Sequence, residues 1–203
     1  MALKLYHCKG ARSLRPLWTL EEMGLAYELE VMEFPPRLCR EGYLAVNPLG
    51  TVPALTDGDL TLTESAAICQ YLVDCHGPSP LGLTPADKDY GLYLNWLHRS
   101  DATLTFPQTI VLRYTQFEPP ERRLKQAAED YTQWFFARLR CVEEAAASRE
   151  FLCADRFTIA DICVGYALVL ADTLGLSAGF KPNTQAYYRR LIARPAFQRA
   201  AGL

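Results

Sequence analysis

The 203-residue chain has little net charge: 21 basic residues stand against 23 acidic ones, for a formal charge of −2, and no long run of either sign occurs. That balance leaves no electrostatic footprint for nucleic acid or an anionic membrane surface. Long apolar runs are missing too. The longest, IADICVGYALVLA, contains Asp161 and falls short of the ~20 residues a membrane-spanning helix needs. The N-terminal MALKLYHCKGARSLR reaches its charges after only a short apolar stretch, so it lacks the layout of a signal peptide and a soluble, cytoplasmic protein is expected. Histidine is scarce, at three, and the seven cysteines (Cys8, Cys39, Cys69, Cys75, Cys141, Cys153, Cys163) form no CxxC pair and no Cys/His cluster. Zinc, CxxC redox chemistry and a disulfide framework are therefore not expected, and no metal is assigned. What is present is a chain half hydrophobic, enough for one substantial core or two modest ones.

The first part mixes strand and helix signals. LKLYH alternates and gives way to the glycine loop KGAR, after which Leu14, Leu17, Trp18, Leu20 and Met23 recur at helical spacing before Gly24. YELEVM reads as a second strand, EFPPRLCREGYLAVNPLG as an irregular connection, TVPAL and LTLTE as two further strands, and SAAICQYLVDCHG as a helix ended by Gly77. This order is that of an α/β domain with a mixed four-stranded sheet. The Pro- and Gly-rich GPSPLGLTPADKD is the best linker, which puts one domain at 1–80 and a second, all-helical one at 81–203. Helices are expected at about 87–117, 122–148, 158–174 and 185–192, with a short turn at ARPAFQRA and a kink or break at Pro107.

Three segments carry chemistry. Pro53 opens a strand, where it cannot donate to a ladder. If the Val52–Pro53 bond is cis, the turn leaves the Val52 N–H and C=O for an extended peptide; an ordinary edge-strand proline fits the segment equally well. Thr63-Glu64-Ser65 opens a helix, where free N–H groups and the dipole favour a carboxylate, with the Ser65 hydroxyl beside them and Glu64 placed for an ammonium group; the plain alternative is an N-cap. Thr158-Ile159-Ala160-Asp161 has the spacing of a capping box in which Asp replaces the usual Glu, a structural device.

In this order, GARSLRPLWTLEEMGLAYE, NPLGTVPAL, TESAAICQYL, FTIADI and ARPAF resemble the cytosolic glutathione transferases nearly end to end. The resemblance implies a thioredoxin-like N-terminal domain, a helical C-terminal domain that shapes a site for an electrophile, a homodimer, and glutathione as co-substrate. By matching positions it implies glutathione contacts from Val52, Glu64 and Ser65, with Pro53 as the cis-proline.

The chain departs from that pattern where the thiol should be activated. Relatives place a hydroxyl or thiol where this chain has Gly10, Ala11 and Arg12. Ser13 at the start of the first helix is the nearest hydroxyl, with an N-cap as its other reading, and Arg12 offers a cation beside the thiolate, with a solvated loop charge as its other reading. Both are carried as catalytic candidates. Cys8 falls before the family's catalytic cysteines, and Tyr6 reads as core. Thr51 stands where relatives often place the Lys or Gln that holds the glycine carboxylate of glutathione, so Arg37 or Arg40 is the candidate for that contact. Asp101 matches a position where relatives offer an acid to glutathione across the dimer. The electrophile's address is the first loop plus Thr105, Phe106, Thr109, Arg113 and Tyr166.

The expected function is conjugation of the glutathione thiolate to an electrophilic, hydrophobic small molecule. The alternatives are glutathione-dependent cleavage of an ether or carbon–halogen bond, suggested by GARSLRPL, and a noncatalytic binding or scaffold protein.

Overall fold

A computed structural model describes residues 3–203. Two compact units divide between Gly82 and Leu83, and the first reclaims the chain end, Ile192–Leu203.

The first unit is built on strands β1 (Leu3–His7), β2 (Tyr27–Val31), β3 (Ala54–Asp57) and β4 (Leu60–Leu62). Their order is β2-β1-β3-β4; β1 runs parallel to β2 and antiparallel to β3, which is antiparallel to β4. The alternation read from LKLYH is real: Leu3, Leu5 and His7 are buried, whereas Lys4 and Tyr6 are half-buried. The parallel β1–β2 pair is bridged by helix α1 (Leu14–Met23), as a parallel crossover requires, and Gly24 ends that helix in the left-handed conformation with its N–H on the Leu20 carbonyl. This mixed sheet with its helices is the thioredoxin-like arrangement expected. The irregular connection holds two one-turn helices, α2 (Pro36–Cys39) and α3 (Tyr43–Val46). Helix α4 (Ser65–Cys75) follows β4 and stops at Cys75, two residues before the expected glycine.

The second unit holds α5 (Tyr90–His98), α6 (Phe106–Leu112), α7 (Lys125–Ala146), α8 (Ile159–Thr173) and nearly all of α9 (Pro182–Ile192). Between α5 and α6 the backbone widens into a π-helical stretch, Arg99–Thr105, in which the Phe106 N–H reaches back to the Asp101 carbonyl. Pro107 follows directly, in the first turn of α6. A proline there lacks its own N–H and collides with the carbonyl four residues back; the wider turn relieves both demands, so the helix continues. Helix α8 is buried along most of its length.

ARPAFQRA is more than the short turn expected. Pro195 sits in the first turn of α10 (Pro195–Gly202), where proline is tolerated. Ala196, Phe197 and Ala200 are buried, and Phe197 meets Trp18 of α1 edge-on with centroids 4.9 Å apart. Arg194 grips Glu22 with two bonds of 2.6 and 2.8 Å, and Arg199 Nε pairs with Glu21 at 2.6 Å. The apolar face and these ion pairs explain why the chain end belongs with the first unit, whereas the sequence reading gave all of 81–203 to the second.

Candidate functional site

The NPLG turn is assembled by a residue the sequence reading passed over. Asn47 is fully buried; its amide donates to the Thr51 carbonyl at 2.7 Å and its Oδ1 accepts the Leu49 N–H at 3.0 Å. The Tyr43 hydroxyl reaches the same Thr51 carbonyl at 2.7 Å. Gly50 adopts φ +63°, and a Cβ there would lie 2.8 Å from Arg37 Cβ, so only glycine fits at this point. The turn delivers the Val52–Pro53 peptide bond, which is cis. Val52 packs in a small cluster with Cys8, Met32 and Tyr43, flanked by Tyr6, Ala11 and Val46. The first loop and the cis-proline turn are thus brought together.

At the start of α4, Glu64 occupies the cap position without a side-chain cap bond, and its carbonyl accepts the first intrahelical bond from Ile68 N–H at 2.8 Å. The N–H groups of Ser65, Ala66 and Ala67 precede that bond and point out of the helix end. Glu64 and Ala67 are exposed and Ser65 is buried. Behind Ser65 lies a group the motif did not announce: Arg15 of α1, with no exposed surface, donates from NH1 to Ser65 Oγ at 2.9 Å. The signal for it was a charge inside the otherwise apolar face of α1.

The first loop departs from expectation. Ser13 is fully buried and makes no side-chain cap bond. Its Oγ accepts the Cys8 N–H at 3.2 Å, and its proton has two acceptors in reach, His7 Nδ1 at 2.9 Å and the Cys8 carbonyl at 3.3 Å. His7 ends β1 on the same buried face as Leu3 and Leu5, and that phase draws the hydroxyl inward; both readings of Ser13, thiol-facing hydroxyl and N-cap, are corrected by this geometry. The helix terminus is also committed: Leu14 N–H and Arg15 N–H bond to the Ala11 and Arg12 carbonyls at 3.0 and 3.1 Å, and Pro16 has no N–H. Arg12 is half-buried in the loop. Burial raises the Cys8 thiol to about 11, and its Sγ faces the Glu33 carbonyl at 3.6 Å. Cys8 is therefore a protonated, structural thiol.

Burial lowers the His7 imidazole to about 4. The unfolded chain then binds a proton that the folded one refuses, so the stability from neutral His7 is complete above about pH 6.5 and is lost as pH falls toward 4. At pH 5 this difference amounts to about 2 kcal/mol. Urea titrations at pH 7.5 and 5.0 are expected to show His7→Gln losing less stability over that interval than the parent; equal losses would contradict the assignment.

The remaining candidates divide. Arg37 is exposed on α2 with its stem over Gly50. Arg40 is bound to Glu30 at 2.7 Å and to the Glu41 carbonyl at 2.6 Å, which commits it elsewhere. Asp101 is half-buried in the π-helical stretch of the second unit. In that unit Thr105 and Tyr166 are core residues, Arg113 pairs with Glu118, and Phe106 is 48% exposed and faces Tyr131 edge-on at 6.2 Å. Tyr131 stacks on Trp134 at 5.4 Å. Among the described residues no group of three or more His, Cys, Asp or Glu side chains is placed to hold a metal ion, and no helix is long and apolar enough to cross a membrane.

Comparison with known proteins agrees with this geometry at the level of the whole chain. The model of the glutathione S-transferase N-terminal domain matches residues 1–74 and that of the C-terminal domain residues 121–190. The Escherichia coli K12 glutathione S-transferase GstB is 31% identical over 188 residues, covering 90% of this chain and 89% of the relative. A glutathione transferase structure from Methylococcus capsulatus aligns with a TM-score of 0.88 at 30% identity, over 99% of this chain and 98% of that one. A sphingomonad glutathione S-transferase complexed with glutathione aligns with a TM-score of 0.86 at 27% identity, over 98% and 97%.

Proposed function

Because the chain belongs to the glutathione S-transferase family, we propose that it binds glutathione along the cis-proline turn and the start of α4, and transfers the thiolate to an electrophilic carbon of a hydrophobic small molecule. The observation that carries this reading is the α4 terminus itself: outward N–H groups, a polarised Ser65 hydroxyl and the exposed Glu64 carboxylate stand together. That set matches an α-amino acid head, with the N–H groups and Ser65 for its carboxylate and Glu64 for its ammonium. Val52 reads the next peptide unit by strand-like pairing beside Pro53. Arg37, beside the turn, is the candidate for the glycine carboxylate. Asp101 is assigned to glutathione held by the partner subunit of a homodimer.

The thiol must lose its proton before it attacks. An ordinary thiol titrates near ~8.5, and a hydrogen bond to the charged form contributes roughly 1.5–3 kcal/mol, or one to two pKa units. With the Ser13 hydroxyl turned inward, that stabilisation is assigned to the Arg12 cation and the N–H groups of its turn, and Ser13 becomes a positioning residue for the loop. The thiolate then forms the C–S bond as a leaving group departs with its electron pair, or as the pair moves into a conjugated acceptor; the thiol proton passes to solvent.

Ser65→Ala removes one donor to the carboxylate and leaves Arg15 NH1 without this acceptor. Glutathione affinity measured by calorimetry is expected to fall about tenfold or more, from the ~1.5–3 kcal/mol of a charge-assisted bond. Unchanged affinity would remove the α-amino acid head from this helix end.

A further inference from the structure

Arg15 is a buried cation on an otherwise apolar helix face. It has no exposed surface, and such a charge is retained only with partners that satisfy it. One partner is the Ser65 oxygen, at 2.9 Å from NH1, fifty residues away in sequence and at the mouth of the site. A hydroxyl that accepts a guanidinium N–H must aim its single proton elsewhere. The first turn of α4 offers it donors rather than acceptors, so the remaining direction is outward, to the ligand. The guanidinium also adds a full positive charge behind a helix end that already carries a partial one, and this charge acts where water does not screen it.

We infer that Arg15 is a positioning residue for glutathione recognition: through Ser65 it orients and polarises the hydroxyl toward the γ-glutamyl α-carboxylate, and so selects ligands that carry an anion there. The inference rests on the placement of that carboxylate at the start of α4. It separates two tasks in one short segment of α1, thiol chemistry at Arg12 and recognition of the peptide head at Arg15. A neutral residue at position 15 would leave the Ser65 hydroxyl able to rotate, and binding would lose both direction and charge.

The experiment is calorimetry on the full chain with two ligands, glutathione and its analogue in which the γ-glutamyl α-carboxylate is a carboxamide. Arg15→Gln is expected to weaken glutathione binding about tenfold and to change binding of the carboxamide less than about twofold. In a Ser65→Ala background the same substitution is expected to add less than about twofold, because its route is already cut. At saturating glutathione, kcat is expected to hold within about twofold while KM rises. If Arg15→Gln fails to fold, Arg15→Lys keeps the charge and loses the planar fork, with about threefold weaker glutathione binding and the same indifference of the carboxamide. Equal weakening of both ligands, or additive effects of the two substitutions, assigns Arg15 a structural role and overturns the inference while Ser65 keeps its own. A Ser65→Ala variant with parental affinity overturns the carboxylate placement itself.

Discussion

Replacing Asp161 with alanine is expected to cost the fold roughly 3–5 kcal/mol, the range for removing one partner from a buried charged network. Asp161 is fully buried at the start of α8. Its Oδ1 accepts the Leu152 N–H at 3.0 Å and the Tyr187 hydroxyl at 2.8 Å; its Oδ2 accepts the Thr158 N–H at 2.9 Å and the Thr158 hydroxyl at 3.1 Å. One carboxylate thus ties a loop, a helix start and α9. Burial raises its carboxyl to about 6, so at pH 7.5 it is ionised and accepts from all four. Alanine would leave the Leu152 and Thr158 N–H groups and the Tyr187 hydroxyl buried without these acceptors, at about 1–3 kcal/mol each before relaxation. Asparagine would restore one oxygen and turn an NH2 toward donors, so it is expected to recover only part of the loss. Urea unfolding at pH 7.5 measures both; an Asp161→Ala midpoint near the parent's would contradict the network.

The second large effect belongs to Arg12. Arg12→Met is expected to raise the pKa of bound glutathione by one to two units and to lower kcat/KM at pH 7 by roughly ten- to a hundredfold, since each 1.36 kcal/mol of lost thiolate stabilisation is a factor of ten. Ser13→Ala provides the contrast. It removes the bonds to His7 and Cys8 and is expected to lower stability by about 1–2 kcal/mol, with the bound thiol's pKa unchanged once the protein is folded. A pH profile of thiolate absorbance for each variant separates them. A shift with Ser13→Ala and none with Arg12→Met would reverse the two roles.

Much of the architecture was legible because it rests on local periodicity. The alternation of LKLYH gave β1, and TIAD gave the capped start of α8, in which Thr158 accepts from Ala160 N–H and Asp161 from Thr158 N–H. The cis bond at Val52–Pro53 was marked by a proline where a strand donor should be. What the sequence concealed depended on distant partners. Ser13 and His7 are six residues apart, and the inward turn of the hydroxyl follows only once His7 is counted on the buried face with Leu3 and Leu5. Arg15 was hidden because its acceptor lies in another helix, although a charge within the Leu14–Leu20 stretch was a usable sign. Asn47 was read as an ordinary turn residue, yet it is buried and shapes the approach to Val52. At the chain end, Pro195 suggested a break, and the buried Phe197 against Trp18 makes it a helix start instead.

Ultraviolet difference titration of the protein with glutathione across pH tests the central claim most directly, because thiolate absorbance reports binding and ionisation together. Saturable binding is expected, with the bound thiol ionising one to two units below its free value of ~8.5. Absence of saturable binding, or binding without any shift in ionisation, would contradict a glutathione-activating site at the cis-proline turn and the start of α4.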